Sequence, residues 1–238
     1  MRRLSDCDEL LDGPLDDPVA LAANLRDLRR INRWLGGVGL SRRAFEALLG
    51  DRTGSLTLLD VGTGAADIPA ALQGAEARRG RELHVMALDS RPEIVAAALV
   101  VTPELASRAH FRMRVGDGRS LPDTDRSQDI VHASLVLHHL APADAAVLLR
   151  EMGRVAAIGV IVNDLARGWL FWLGAWVLGH TLTRSRLTRH DAPLSVRRAY
   201  SPAEMRDLLA AAGLRPIATR RGFLGHRYAI AAVRGAVP

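Results

Sequence analysis

Apolar positions along the chain change their period near residue 55. Leu21, Leu25, Leu28, Ile31 and Leu35 recur at spacings of three and four, pause at Gly36-Gly37 and resume through Phe45, Leu48 and Leu49. That spacing predicts a helical extension over residues 15–50. From Ser55 the pattern becomes short apolar runs separated by helical stretches. The runs are Leu56–Val61, Leu83–Leu88, Phe111–Val115, Ile130–Ala133 and Ala157–Val162, with helices predicted near 67–79, 92–105 and 142–152. Such alternation belongs to a parallel sheet covered on both faces.

After the fifth run the pattern is interrupted. Gly168–Gly179 (GWLFWLGAWVLG) is apolar throughout, shorter than the roughly 18 residues of a membrane span, and reads as a buried or interfacial helix. Thr183–Tyr200 is polar, and within it Arg189, His190, Asp191, Ser195, Arg197 and Arg198 form a dense stretch with neither helical nor strand pattern. Ser201-Pro202-Ala203-Glu204 then opens a helix, with serine as cap, proline at the first position and glutamate three residues after the cap; it is expected to end near Gly213. Arg215–Thr219 and Tyr228–Val233 read as a closing hairpin. The expectation is a single α/β domain with N-terminal helices (1–50), a core (51–163), a cap insertion (164–200) and a C-terminal helix and hairpin (201–238).

Composition narrows the chemistry. All 32 basic residues are arginine, against 26 acids, for a net charge of +6. With no lysine, Schiff-base chemistry and a Walker-type phosphate loop are excluded. The arginines are scattered singly or in pairs such as Arg29-Arg30 and Arg220-Arg221, not in the long blocks of a nucleic-acid arm, so nucleic acid is not the expected partner. Cys7 is the single cysteine, which excludes an intramolecular disulfide. The N-terminus shows no apolar stretch of signal-peptide length. A cytoplasmic location is the expectation.

The most informative stretch is Leu58-Leu59-Asp60-Val61-Gly62-Thr63-Gly64-Ala65-Ala66-Asp67. A strand ends in an acid, and a small-residue turn feeds a helix, so a ligand can approach main-chain amides closely. The second strand ends at Leu88-Asp89, followed by Ser90. A carboxylate at that place can accept two hydrogen bonds from a ribose diol. A dinucleotide is disfavoured, because Asp67 stands where the third glycine of G-x-G-x-x-G would lie and would repel a pyrophosphate. A sulfonium cofactor carries positive charge and tolerates Asp60 and Asp67.

These residues resemble a class I S-adenosylmethionine-dependent methyltransferase. The likeness rests on the D-x-G-x-G-x-A turn at Asp60–Ala66, on Asp89, on Gly116-Asp117-Gly118 after the third strand, and on Asp129–Ser134 followed by Leu137-His138-His139-Leu140. It implies a Rossmann-like, seven-stranded, mostly parallel sheet with the helical cap inserted between strands five and six. It further implies that Gly62 and Gly64 face the methionine part, with Asp60, Thr63 and Asp67 around them, that Asp89 and Ser90 meet the ribose, that Asp117 and Gly118 meet the adenine edge, and that Ser134 meets the cofactor from strand four. No Asn-Pro-Pro-Tyr or Asp-Pro-Pro-Tyr follows strand four, which disfavours base methylation.

Methyl transfer from a sulfonium needs alignment and a dry site, and a base only for acceptors such as phenols. His139 and His190 are the candidate bases, and His138 is expected beside the substrate. Asn163 and Asp164, read as a loop after strand five, are candidates to hold a substrate hydroxyl; no further acid follows strand four, so no metal is expected. Trp169, Trp172 and Trp176 share one helix face, as plain core or as a pocket wall, with Trp169 and Trp172 candidate substrate contacts. A greasy cover suits a hydrophobic aromatic acceptor, and the same face can touch a membrane surface. The insertion also resembles small-molecule methyltransferases of bacterial secondary metabolism, acting on phenolic lipids, polyketides or quinones. That implies O-methylation of a phenol first, with C-methylation of a quinol, or a binding protein without turnover, as alternatives.

Overall fold

A computed structural model describes residues 1–5 and 7–235. Two helices, α1 (Pro18–Trp34) and α2 (Gly37–Leu49), precede β1 (Leu56–Val61), α3 (Asp67–Ala77), β2 (Leu83–Asp89), α4 (Pro92–Val101), β3 (Phe111–Val115), β4 (Gln128–Ser134), α5 (Pro142–Val155) and β5 (Ala156–Leu165). Then follow α6 (Trp169–Leu182), α7 (Arg186–Arg198), α8 (Pro202–Ala211), β6 (Leu214–Arg221) and β7 (Arg227–Arg234). One seven-stranded sheet runs in the order β3-β2-β1-β4-β5-β7-β6. Only β7 is antiparallel to its neighbours β5 and β6.

The sheet is buried on both faces, as its near-continuous apolar strands require. Alternate residues serve opposite layers. Leu58, Ile130 and Ile161 pack towards Phe45, Leu48 and Leu72 of α2 and α3. Leu59, Val131 and Val160 pack towards Leu149 and Met152 of α5 and Leu209 of α8. The chain reverses order between β1 and β4, so the carboxyl ends of β1, β2 and β4 border a crevice of the kind that binds ligands in open α/β sheets. At α8 the Ser201–Glu204 capping box is present as expected, and the helix ends at Ala211.

Three expectations need correction. The polar stretch read as patternless contains α7, because its buried face is built from Thr188, Asp191, Ser195 and Arg198 around Val196. Helical spacing is there, but in polar residues, where hydrophobic periodicity cannot show it. The fifth strand runs to Leu165, so Asn163 and Asp164 are strand residues and not a loop. The tryptophan stripe is not core: Trp169 is 65% exposed, and Gly179 is the one buried residue of α6.

Candidate active site

The turn after β1 draws six of the expected cofactor residues together. Thr63 donates its hydroxyl to Asp60 Oδ2 at 2.6 Å and its N–H to the Leu88 carbonyl at 2.9 Å, tying β1 to β2. Asp89 Oδ2 accepts the Gly64 N–H at 3.0 Å, and Oδ1 accepts the Arg91 N–H at 3.2 Å. Gly62 and Gly64 have φ of 66° and 53°, the left-handed region that favours glycine. A Cβ on Gly62 would stand 2.4 Å from Val136 Cγ2, whereas one on Gly64 would meet nothing within 4 Å. Gly62 is therefore demanded by packing, and Gly64 borders open space.

Asp67 opens α3 and accepts from Asn32 Nδ2 at 3.2 Å. Burial, with the nearby Asp60 charge adding to it, lifts its carboxyl to about 6. Asp89 is raised for the same two reasons. A crevice that makes carboxylates hard to ionise gains from a cationic ligand. This donor set fits a sulfonium nucleoside, the cofactor that the sequence resemblance implies: Asp89 for hydroxyls, the Gly64 side for close approach, Asp60 and Asp67 for positive charge.

The other expected cofactor contacts stand differently. Asp117 lies half-exposed at the end of β3 in an ion pair with Arg119 at 3.0 Å, which lowers its carboxyl. Gly118 is required by packing, since a Cβ there would lie 2.4 Å from Val61 Cγ1. Ser90 is exposed beside Asp89. Ser134 accepts from Arg227 Nη2 at 2.7 Å.

Beneath the crevice floor runs a buried polar chain that periodicity did not reveal. Asp60 pairs with His132 Nδ1, and His132 Nε2 meets Ser41 Oγ at 2.8 Å. Asn163 donates to Ser41 Oγ at 2.7 Å and to the Gly37 carbonyl at 2.9 Å. Arg227 donates to Asn163 Oδ1, Asn32 Oδ1 and Ser134 Oγ, each at 2.7 Å, and Asn32 leads back to Asp67. Arg227 was legible only as a charged residue in a hairpin strand. The correction for Asn163 follows: it is wholly buried, with its amide committed inside the fold and no free polar atom for a substrate hydroxyl.

Asp164 is likewise buried, and it holds His138 by Nδ1 at 2.7 Å and by the main-chain N–H at 3.2 Å. His138 and His139 lie on the one-turn helix after β4, rings 4.2 Å apart. Both face Glu9, with His138 Nε2 at 3.7 Å and His139 Nε2 at 3.9 Å. His139 Nδ1 also lies 2.8 Å from Asp12. Burial opposes its protonation, but the Glu9 and Asp12 charges prevail and hold the ring at about 9. It is a cation at neutral pH, which corrects its expected role as a free base. His190 is half-exposed on α7, paired with Asp191 at 2.7 Å.

Glu9 arrives on an N-terminal strap that sequence patterning left unassigned. Asp191 accepts the Leu10 and Leu11 N–H groups at 2.8 and 3.0 Å, Arg3 donates to the Leu140 carbonyl at 2.8 Å, and Arg91 donates to the Gly13 carbonyl at 3.1 Å. Glu9, His138 and His139 place one ligand atom each within 4.8 Å of one another. Arg198, 2.9 Å from Asp12 and 4.0 Å from Glu9, together with cationic His139, already supplies the positive charge that a metal ion would bring.

Comparison with known proteins agrees with this geometry. Residues 59–162 match the methyltransferase domain family. No curated relative matches the chain. Among solved structures it resembles a SAM-dependent methyltransferase from Aquifex aeolicus, with TM-score 0.62, 20% identity, and 91% of this chain and 97% of that one covered. Human N-acetylserotonin methyltransferase in complex with SAM superposes with TM-score 0.67 at 16% identity, covering 95% of this chain and 61% of that one. Magnesium protoporphyrin IX methyltransferase from Synechocystis, with bound SAH, gives TM-score 0.56 at 18% identity, covering 91% and 84%. Residues 59–162, which hold the core strands and the acids gathered at the switch point of the sheet, match the methyltransferase domain family, and the chain as a whole shares the fold of SAM-dependent methyltransferases.

Proposed function

We propose that this protein transfers a methyl group from S-adenosylmethionine to a hydrophobic aromatic small molecule, with a phenolic hydroxyl as acceptor. The observation that carries the cofactor assignment is the convergence of Asp60, Asp67 and Asp89 on the Gly64 turn, two of them with raised pKa values that a cation would relieve. When bound, the cofactor supplies a methyl carbon already activated by positive sulfur. The chain's part is to orient, to exclude water and to receive a proton.

His138 is the residue assigned to that proton. Asp164 fixes its ring through Nδ1 at 2.7 Å, which leaves Nε2 as the nitrogen that accepts and lets the carboxylate stabilise the resulting imidazolium. Glu9 faces Nε2 at 3.7 Å, so the acceptor hydroxyl takes the place of the Glu9 side chain when it engages the histidine. The same arrangement serves C-methylation of a quinol, whose ring carbon becomes nucleophilic once the hydroxyl is deprotonated. Fold neighbours named for N-acetylserotonin and magnesium protoporphyrin IX are in keeping with an aromatic acceptor.

Calorimetric titration with S-adenosylmethionine and transfer of labelled methyl to a panel of alkylated phenols and quinols test the reading. Binding and a methylated product are expected. Absence of cofactor binding overturns it, and binding without turnover on any acceptor converts it to a binding protein that keeps the fold. His138→Gln is expected to lower kcat while leaving cofactor affinity unchanged.

A further inference from the structure

Helix α6 presents to solvent what a folded protein ordinarily hides. Trp169, Leu170, Leu173, Trp176, Val177 and Leu182 are all exposed. The helix is held to the body by Gly179, whose Cα side faces Arg189 of α7, and by Phe171, which packs on the core. Two further apolar tips join it. The β6–β7 turn exposes Phe223 (84%) and Leu224 (77%), and Gly225 of that turn faces Phe171, with an added Cβ 3.9 Å from its ring. His226 Nε2 lies 3.2 Å from the Leu35 carbonyl, bringing the end of α1 and Trp34 (77% exposed) to the same border.

The segments that form this surface carry mostly positive charge. Between Asp164 and Asp191 the chain contains no acid, and its charges are Arg167, Arg184, Arg186 and Arg189. The turn carries Arg220 and Arg221 and the end of α1 carries Arg29, Arg30 and Arg33, again with no acid from Leu28 to Leu35 or from Arg220 to Arg227. Tryptophans on an uncharged apolar helix, bordered by the exposed Arg33, Arg184, Arg186, Arg220 and Arg221, with Asp27 buried against Thr183 at the helix end and Arg167 paired with Glu204, match the requirements of the bilayer interface: rings at headgroup depth and guanidinium groups on lipid phosphates. No helix among the described residues is long and apolar enough to cross a membrane, so such a contact lies in the interface plane.

We propose that α6, with the Phe223-Leu224 turn and the end of α1, seats this protein on an anionic phospholipid surface. A second copy is a poorer occupant, because a twofold contact through this face sets one arginine rim against another. The surface needs neither the cofactor nor turnover, so its test is independent of the methyl-transfer reading.

The experiment is sedimentation of the full chain with vesicles of phosphatidylcholine alone and with phosphatidylglycerol added, read together with a blue shift of tryptophan emission. Binding to the anionic vesicles and weakening with salt are expected. The exposed-site variants Leu173→Glu with Trp176→Glu, and Arg184→Glu with Arg221→Glu, should keep the wild-type circular dichroism and each bind at least about tenfold more weakly. No sedimentation with anionic vesicles overturns the proposal. So does a lipid-free dimer that the Leu173→Glu, Trp176→Glu variant separates into monomers.

Discussion

Arg227, on the antiparallel strand β7, donates Nε to Asn163 Oδ1 on β5 at 2.7 Å, with both side chains shut away from water. This bond joins the C-terminal hairpin to the crevice floor, since the same guanidinium reaches Asn32 and Ser134. Burial lowers Arg227 to about 10, against the opposing pull of Asp164 and Asp67, so it remains charged at neutral pH. Arg227→Met leaves buried acceptors and carboxylates without a counter-charge, and breaking a buried pair of this kind costs about 3–5 kcal/mol. Urea denaturation should show the loss as a lower midpoint with little change in slope.

Gly62→Ala and Gly64→Ala should fail in different ways. Both impose an L side chain on a positive φ, at a cost of about 1–2 kcal/mol. The Gly62 methyl also collides with Val136, whereas the Gly64 methyl enters open space. Thermal melting is expected to show the larger destabilisation for Gly62→Ala. Calorimetry is expected to show a folded Gly64→Ala with cofactor affinity reduced by tenfold or more.

Asp67 titrates at about 6 in the fold against 3.8 for the free group, with burial first and Asp60 adding to it. Between those values the native state holds the proton more tightly than the unfolded chain, so stability falls as pH rises from about 4 through about 6. Asp67→Asn should flatten that part of the stability profile. Wild-type affinity for a cationic cofactor should rise through the same window as the carboxylate ionises.

His139 gives the opposite slope. Burial opposes its charge, but Glu9 and Asp12 hold it at about 9 against 6.5 for the free ring. The stability it contributes is fully present below about 6.5 and is lost as pH rises through about 9. His139→Gln should remove that alkaline loss, and an NMR titration of the imidazole should place its midpoint near 9.

Asp89→Asn removes a charge and keeps the shape and a carbonyl acceptor for the Gly64 N–H, but loses the acceptor of the Arg91 N–H. Melting temperature should change little, because relief of the raised carboxyl offsets the lost Arg91 hydrogen bond. Cofactor binding should fall by at least about tenfold, and a variant that binds as tightly as wild type would remove Asp89 from the site.

Periodicity in the chain sufficed for the sheet, its flanking helices and the acid-glycine-acid turn, because strands buried on both faces read as apolar runs and glycines mark backbone that no other residue adopts readily. Asp60, Asp67 and Asp89 were legible for the same reason: each sits at a strand end or helix start defined by local pattern. Arg227, Asn32, Ser41 and His132 were not, because polar residues that satisfy one another leave no periodic trace, and their pairing spans separations as wide as the 195 positions between Asn32 and Arg227. Helix α7 stayed hidden because its inward face is polar, and Glu9 because one acid in a polar segment announces no partner. For α6 the pattern showed a greasy helix, and folding alone settled that its tryptophans face outward, since burial depends on what packs against a surface and no local spacing carries that information.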